Sequence, residues 1–200
     1  MKLRGLYAIT PELADSGTLL RGVAQALEGG IAMLQYRRKG RQHIEEAKTL
    51  ARMCRERGVP FVVNDDVALA MQCGADGVHL GRDDGELAVA RTALGDRLLG
   101  ASCYDSLSAA RAAVAADADY VAFGSVFSSS TKPAAVRAPH ALFREARPLG
   151  VPLVAIGGIT LQNAPQLLAA GADCLAVISD LFDAPDIAAR ARAYGILFRS

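Results

Sequence analysis

Gln35, Arg37 and Lys39 alternate within the run Gln35-Tyr36-Arg37-Arg38-Lys39, and on an extended chain alternate residues project to one side. Two cations and an amide on one side suit a phosphate-bearing ligand, with a solvated basic loop as the plainer reading. Acidic groups follow at Asn64-Asp65-Asp66 and Gly81-Arg82-Asp83-Asp84. One carboxylate from each group, converging on a hard cation such as magnesium, would leave positions open for phosphate oxygens. Helix capping competes with that role, because both groups precede helical patterns; Asp66 and Asp83 read as caps or solvated acids.

Hydroxyls and glycines supply the other candidates. Ser102-Cys103-Tyr104 is weak by itself, since a lone serine is more often a cap or a turn, and no histidine stands beside Cys103 to make it a nucleophile. The longer segment Gly124-Ser125-Val126-Phe127-Ser128-Ser129-Ser130-Thr131-Lys132-Pro133 reads either as a phosphate-wrapping loop over a site or as a serine-rich linker. Gly157-Gly158-Ile159-Thr160 and Ile178-Ser179 combine close backbone approach with a following helix start, which suits an anion. His43 and His140 lie in polar helical stretches and read as exposed, whereas His79 reads as a packed, hydrogen-bonded ring within a strand.

Nearly all of these residues stand just after a short apolar run. The strand candidates are Gly5–Thr10, Ala32–Tyr36, Pro60–Asn64, Gly77–Leu80, Leu98–Ser102, Tyr120–Phe123, Pro152–Ile156 and Cys174–Ile178. Continuous apolar runs mark parallel strands covered on both faces, and the stretches between them, such as Leu19-Leu20-Val23-Ala24-Leu27, keep one helical face apolar. A local plan also recurs. Gly74-Ala75-Asp76-Gly77-Val78, Asp117-Ala118-Asp119-Tyr120-Val121 and Gly171-Ala172-Asp173-Cys174-Leu175 each end a helix, turn and start a strand; Gly29-Gly30-Ile31-Ala32-Met33 is a looser copy. Eight alternating units in residues 1–200 predict one α/β domain, a closed (β/α)8 TIM barrel, with an open doubly wound sheet as runner-up. The polar residues then gather at the end of the barrel where such folds place their sites.

Composition narrows the partners. A net charge of +1 gives no overall field toward nucleic acid or an anionic membrane. The apolar runs are strand-sized, too short for a bilayer span, and the first residues lack the run and cleavage site of a signal peptide. Cys54, Cys73, Cys103 and Cys174 are scattered, with no metal-ligand spacing, and read as reduced thiols in a cytoplasmic protein. Small-molecule substrates are expected, and homo-oligomerisation is left open.

Taken together, Leu6-Tyr7-Ala8-Ile9-Thr10, Gln35–Lys39, Asn64-Asp65, Gly74–Gly81, Thr131-Lys132-Pro133 and Ala155–Thr160 resemble the thiamine phosphate synthase family, and the likeness runs on to Ala176-Val177-Ile178-Ser179. The resemblance implies a TIM barrel, a magnesium ion and two substrates, 4-amino-2-methyl-5-(diphosphooxymethyl)pyrimidine and 4-methyl-5-(2-phosphoethyl)thiazole or its 2-carboxy form. It also implies that Gln35, Tyr36, Arg37, Arg38, Lys39, Asn64, Ser102 and Lys132 contact the pyrimidine diphosphate. Asp65 and Asp84 would bind the metal. Ser129, Ser130, Thr131, Gly158, Ile178 and Ser179 would hold the thiazole phosphate. Arg37, Lys39, Lys132 and Ser102 are the residues implied in catalysis. Two departures stand out: Ser128-Ser129 where the family often has Pro-Thr, and Tyr104 where many relatives have histidine.

A dissociative route follows from this set. Electron release from the pyrimidine amine favours loss of diphosphate before the thiazole nitrogen attacks, so the residues chiefly stabilise charge on the departing group, and no protein nucleophile is required. The rivals are a thiazole tautomerase of the same superfamily, a non-catalytic phosphate-ligand sensor and, at fold level, a sugar-phosphate isomerase or epimerase.

Overall fold

Runs such as Phe61-Val62-Val63 bury every side chain, which a strand achieves only when both faces are covered. The computed structural model describes residues 3–12, 15–38, 43–128 and 137–199. Within them lie β1 (Gly5–Ile9), β2 (Met33–Tyr36), β3 (Phe61–Asn64), β4 (Gly77–Leu80), β5 (Leu98–Tyr104), β6 (Tyr120–Phe123), β7 (Leu153–Ile156) and β8 (Cys174–Val177). All pair in parallel with their sequence neighbours, and β8 pairs β1 to close the barrel. The helices are α1 (Ser16–Gly29), α2 (Ile44–Glu56), α3 (Val67–Cys73), α4 (Leu87–Leu94), α5 (Leu107–Ala115), α6 (Ala141–Ala146), α7 (Ala164–Ala170), α8 (Ser179–Phe182) and α9 (Ile187–Leu197). No helix among the described residues is long and apolar enough to cross a membrane.

The strand boundaries differ from the sequence reading in instructive ways. Thr10, Ala32, Pro60, Pro152 and Ile178 fall just outside the strands. The prolines serve there as acceptors only: the Pro60 carbonyl takes the Leu34 N–H at 3.0 Å, and the Pro152 carbonyl takes the Val121 N–H at 3.2 Å. β5 runs on to Tyr104, because its register against β6 slips between Ser102 and Tyr104, as a bulge does.

The recurring Ala-Asp plan proves to be a seam. A left-handed residue ends each helix, with φ of 69° at Gly74, 59° at Asp117 and 110° at Gly171, a conformation glycine adopts freely and aspartate tolerates. The next alanine is buried and returns its N–H to the helix. The aspartate carboxylate then accepts an N–H at the start of the preceding strand: Asp76 from Phe61 at 2.8 Å, Asp119 from Leu99 at 2.7 Å, and Asp173 from Leu153 at 2.9 Å. The looser copy keeps only the backbone half, Ala32 N–H to the Leu6 carbonyl at 2.7 Å. Asp119 also pairs with Arg91 at 2.6 Å. Replacing Asp119 with alanine leaves the Leu99 amide without its acceptor, and stability should fall by about 1–3 kcal/mol. A lower urea midpoint at unchanged slope is the expected result; an unchanged midpoint would deny the seam its role.

Two apolar layers result. Between barrel and helices pack Leu34, Tyr36, Val63, Leu99, Phe123 and Leu175, among others. Inside the barrel lie Tyr7, Ile9, Met33, Val62, Tyr120, Ala122, Val154 and Ala176. The inner layer closes the lower barrel, so the polar residues above it face a floor rather than a pore.

Candidate active site

At the C-terminal ends of the strands the barrel opens into a cavity of about 670 Å³, a size that takes a small ligand. Gln35, Arg37, Asn64 and Ser102 line one part of it, and Gly158, Ile178 and Ser179 another. Neither Asp65 nor Asp84 lines it; both are exposed at its edge, Asp65 next in sequence to the lining Asn64 and Asp84 against Asp65. Tyr36 and Arg38, expected among the ligand contacts, face the other way. The Tyr36 hydroxyl donates to Glu46 at 2.6 Å and Arg38 pairs with the same carboxylate at 2.7 Å, because the period of an extended chain turns alternate residues toward α2. Lys39, Ser129, Ser130, Thr131 and Lys132 lie outside the described residues.

That outward pair has a use. Arg37 sits between two residues fastened to the buried Glu46, and its own backbone is gripped by Thr10, whose hydroxyl accepts the Arg37 N–H at 2.8 Å and lies 3.1 Å from the Arg37 carbonyl as donor. Thr10 is fully buried. Neither Thr10 nor Glu46 was singled out from the sequence; a hydroxyl at a strand end is the only local sign of the first, and nothing local marks the second.

The acids meet across the rim. Asp65 holds a left-handed φ of 64°, and its N–H donates to the His79 carbonyl at 2.9 Å, which ties the end of β3 to β4. Asn64 Nδ2 donates to the Asp65 carboxylate. Partial desolvation, the hydrogen bond to Asp84 and the charge of Asp84 hold the Asp65 carboxyl above the usual carboxylate range, while Arg37 and Asn64 pull it back. Asp84 also accepts the Gly81 N–H at 2.7 Å. Asp66 caps α3 through the Leu69 N–H, and Asp83 is exposed, as the sequence suggested. Among the described residues no group of three or more His, Cys, Asp or Glu gathers as a metal cluster; this pair of carboxylates is the cation-suited feature of the rim. Tyr104 lines the cavity, and its hydroxyl takes the Arg82 N–H at 3.3 Å.

Beneath the cavity runs a chain of side chains. Gln35 Nε2 donates to the Tyr7 hydroxyl at 2.6 Å, which lies 2.9 Å from the Tyr120 hydroxyl. Tyr120 lies 3.1 Å from His79 Nδ1, and His79 Nε2 lies 2.9 Å from Ser102 Oγ. Burial pushes the His79 imidazole down to about 4, so it is neutral at ordinary pH. The expectation of a packed, hydrogen-bonded ring is met, and the ring also reaches the cavity.

The opposite wall is built from backbone. Gly158 has φ of 65°, and a Cβ there would stand 2.3 Å from the Ser128 carbonyl oxygen, so only glycine fits. Asn163 braces the turn, accepting the Thr160 N–H at 2.8 Å and donating to the Gly158 carbonyl at 2.9 Å. The Val126 and Phe127 amides donate to Ile156 and Gly157, which seats the start of the long segment against this turn. Cys103 points into the outer core instead, where burial pushes its thiol up to about 12, a poor state for a nucleophile. All four cysteines are free and buried.

Comparison with known proteins agrees with this arrangement. The family model described as thiamine monophosphate synthase matches residues 6–181. A protein of Aromatoleum aromaticum named thiamine-phosphate synthase is 59% identical over 98% of this chain and 97% of its own length. A protein of the same name from an Azoarcus species is 56% identical, with 98% of each chain covered. Among solved structures, a thiamine phosphate pyrophosphorylase from Pyrococcus furiosus superposes with a TM-score of 0.87 at 33% identity, covering 99% of this chain and 96% of that one.

Proposed function

The chain belongs to the thiamine monophosphate synthase family, and on that premise we propose that it is a transferase of thiamine biosynthesis. It joins 4-amino-2-methyl-5-(diphosphooxymethyl)pyrimidine to 4-methyl-5-(2-phosphoethyl)thiazole, or its 2-carboxy form, and releases thiamine phosphate and diphosphate, with carbon dioxide as well from the carboxylated substrate. The observation that carries this reading is one cavity shared by Arg37, Asn64, Ser102, Gly158 and Ser179, with Asp65 and Asp84 on its rim.

Each part has a task. Gln35, Asn64 and Ser102 hold the pyrimidine, and Arg37, Lys39 and Lys132 draw charge from the departing diphosphate. The turn at Gly158 and the segment Ile178-Ser179, with Ser129, Ser130 and Thr131, anchor the thiazole phosphate, which keeps its nitrogen close to the reacting carbon. Asp65 and Asp84 fit a magnesium ion: they are two hard oxygen donors side by side, and Asp65, raised first by desolvation and then by its hydrogen bond with Asp84 and the charge of Asp84, is a carboxyl whose ionised form a cation would favour. The ion, when bound, supplies positive charge to the diphosphate oxygens. Arg38 and Tyr36 support Arg37 rather than touch substrate. Small molecules are the partners, and four reduced, buried thiols suit the cytoplasm.

The test is to incubate each substrate alone and both together, with and without magnesium, and follow thiamine phosphate. Product only from the pair, with diphosphate released, is expected. Conversion of the thiazole alone would favour the tautomerase, whose expected imidazole is replaced here by Tyr104. Binding without turnover would favour a sensor. Ser179→Ala should raise the KM for the thiazole phosphate about three- to tenfold with a smaller change in turnover; an unchanged KM would remove Ser179 from the phosphate site.

A further inference from the structure

The interior chain Gln35–Tyr7–Tyr120–His79–Ser102 begins and ends at the cavity, and its middle members belong to β1, β6 and β4. Tyr7 and Tyr120 are each 1% exposed and His79 6%, so their side-chain polar atoms find their partners within this chain, and a misplaced proton is costly. Each link needs one hydrogen, each hydroxyl has one to give, and a neutral imidazole has one N–H.

Counting those hydrogens fixes a direction. Gln35 Nε2 donates to Tyr7, so the Tyr7 proton must go to Tyr120, and the Tyr120 proton to His79 Nδ1. His79 then carries its hydrogen on Nε2 and donates it to Ser102. The Ser102 proton, the Gln35 carbonyl oxygen and the second Gln35 N–H are left over, and of the two Gln35 groups the carbonyl oxygen is the acceptor. Reversing one link alone puts two hydrogens, or none, into a buried contact, so the chain reverses as a whole or not at all.

We propose that this chain of hydrogen bonds is a specificity determinant that presents Gln35 as an acceptor and Ser102 as a donor at the cavity floor, selecting a ring that carries an amino group and an unprotonated ring nitrogen. The inference rests on the pyrimidine reading above and deepens it: the 4-oxo analogue, with a carbonyl and a ring N–H, meets the wrong group at both ends. Tyr7, Tyr120 and His79 are positioning residues in this scheme, since they act through Gln35 and Ser102.

The experiment compares the 4-amino pyrimidine diphosphate with its 4-oxo analogue in the wild type and in Tyr120→Phe, a change that removes one hydroxyl and keeps the ring. Because the amine also drives diphosphate loss, recognition is read as binding: wild type should hold the amino compound at least about tenfold more tightly than the oxo analogue, measured as dissociation constants without the thiazole. Tyr120→Phe should lose about tenfold in affinity for the amino compound, leave the oxo analogue unchanged, and so bring the two within about threefold. A purely structural role would lower both together, and that result, or a variant with full discrimination, overturns the proposal. Spectra of the wild type labelled with 15N-histidine read the same chain directly. His79 should be neutral with its hydrogen on Nε2, and a hydrogen on Nδ1 overturns the proposal even if the variant does not fold. Absence of turnover with either pyrimidine would instead refute the reaction, leaving the His79 spectrum to judge the chain.

Discussion

Asp65→Ala is expected to lower turnover of the two-substrate reaction by about 10²–10³, the loss usual when one preorganised charge contact is removed from such a site. The carboxylate stands at the rim with Asp84 facing it and the Asn64 amide and Arg37 charge directed to it. Asp65→Asn keeps the shape and discards the charge. If the charge is what matters, Asn should fall nearly as far as Ala; if Asp65 only shapes the turn at φ 64°, Asn, which tolerates that conformation, should act almost normally. Initial rates at saturating substrates and magnesium, with thermal melts to confirm folding, separate the two. Lys132→Ala should fall by a similar order. Near-normal turnover in both Asp65→Ala and Lys132→Ala would reject the assigned roles.

Gly100→Ala should be a damaging substitution inside the barrel. A Cβ at this position would lie 2.1 Å from Tyr120 Cζ and 2.6 Å from His79 Nδ1, so one added methyl displaces two large rings that are packed and hydrogen-bonded. Overfilling of this kind costs about 1–3 kcal/mol, which for a domain of this size lowers Tm by roughly 2–12 °C. Gly195→Ala is the control: it lies in α9 with nothing within 4 Å of an added Cβ, and should be neutral or stabilising by about 0.5–1 kcal/mol. Equal Tm values for the two variants would show that the space around Tyr120 is not filled as described.

Much of the fold could be read in advance, because parallel strands, buried on both faces, leave continuous apolar runs, and because the Ala-Asp turn repeats before three of them. The errors sit at strand ends, where hydrogen bonding to a neighbour, rather than any property of Pro60 or Pro152, decides the boundary. The cavity lining was legible for residues at or near the upper ends of strands that point inward: Gln35, Arg37, Asn64 and Ser102. Tyr36 and Arg38 were assigned to the ligand through family likeness, although strand alternation already turned them outward. The interior chain was not legible. Tyr7 and Tyr120 are 113 positions apart, and only closure of the barrel brings their hydroxyls together. Thr10, Glu46 and Asn163 escaped notice for the same reason: each acts on the backbone or side chain of a residue that the sequence did flag.

The aspartate seams carry a consequence for how such a chain could be recombined. Carboxylate stitches join β3 to β4, β5 to β6 and β7 to β8, whereas the lower ends of β4 and β5, β6 and β7, and β8 and β1 are joined by a backbone carbonyl: Asp76 to Leu98, Pro152 to Val121, and Asp173 to Gly5. Three strand couples are thus stitched by side chains, β1 and β2 being joined there by backbone alone, and the natural crossover points fall between couples. A chimera with a homologue that exchanges whole couples keeps every stitch within one parent, while a splice after β3, β5 or β7 makes each stitch depend on two parents agreeing.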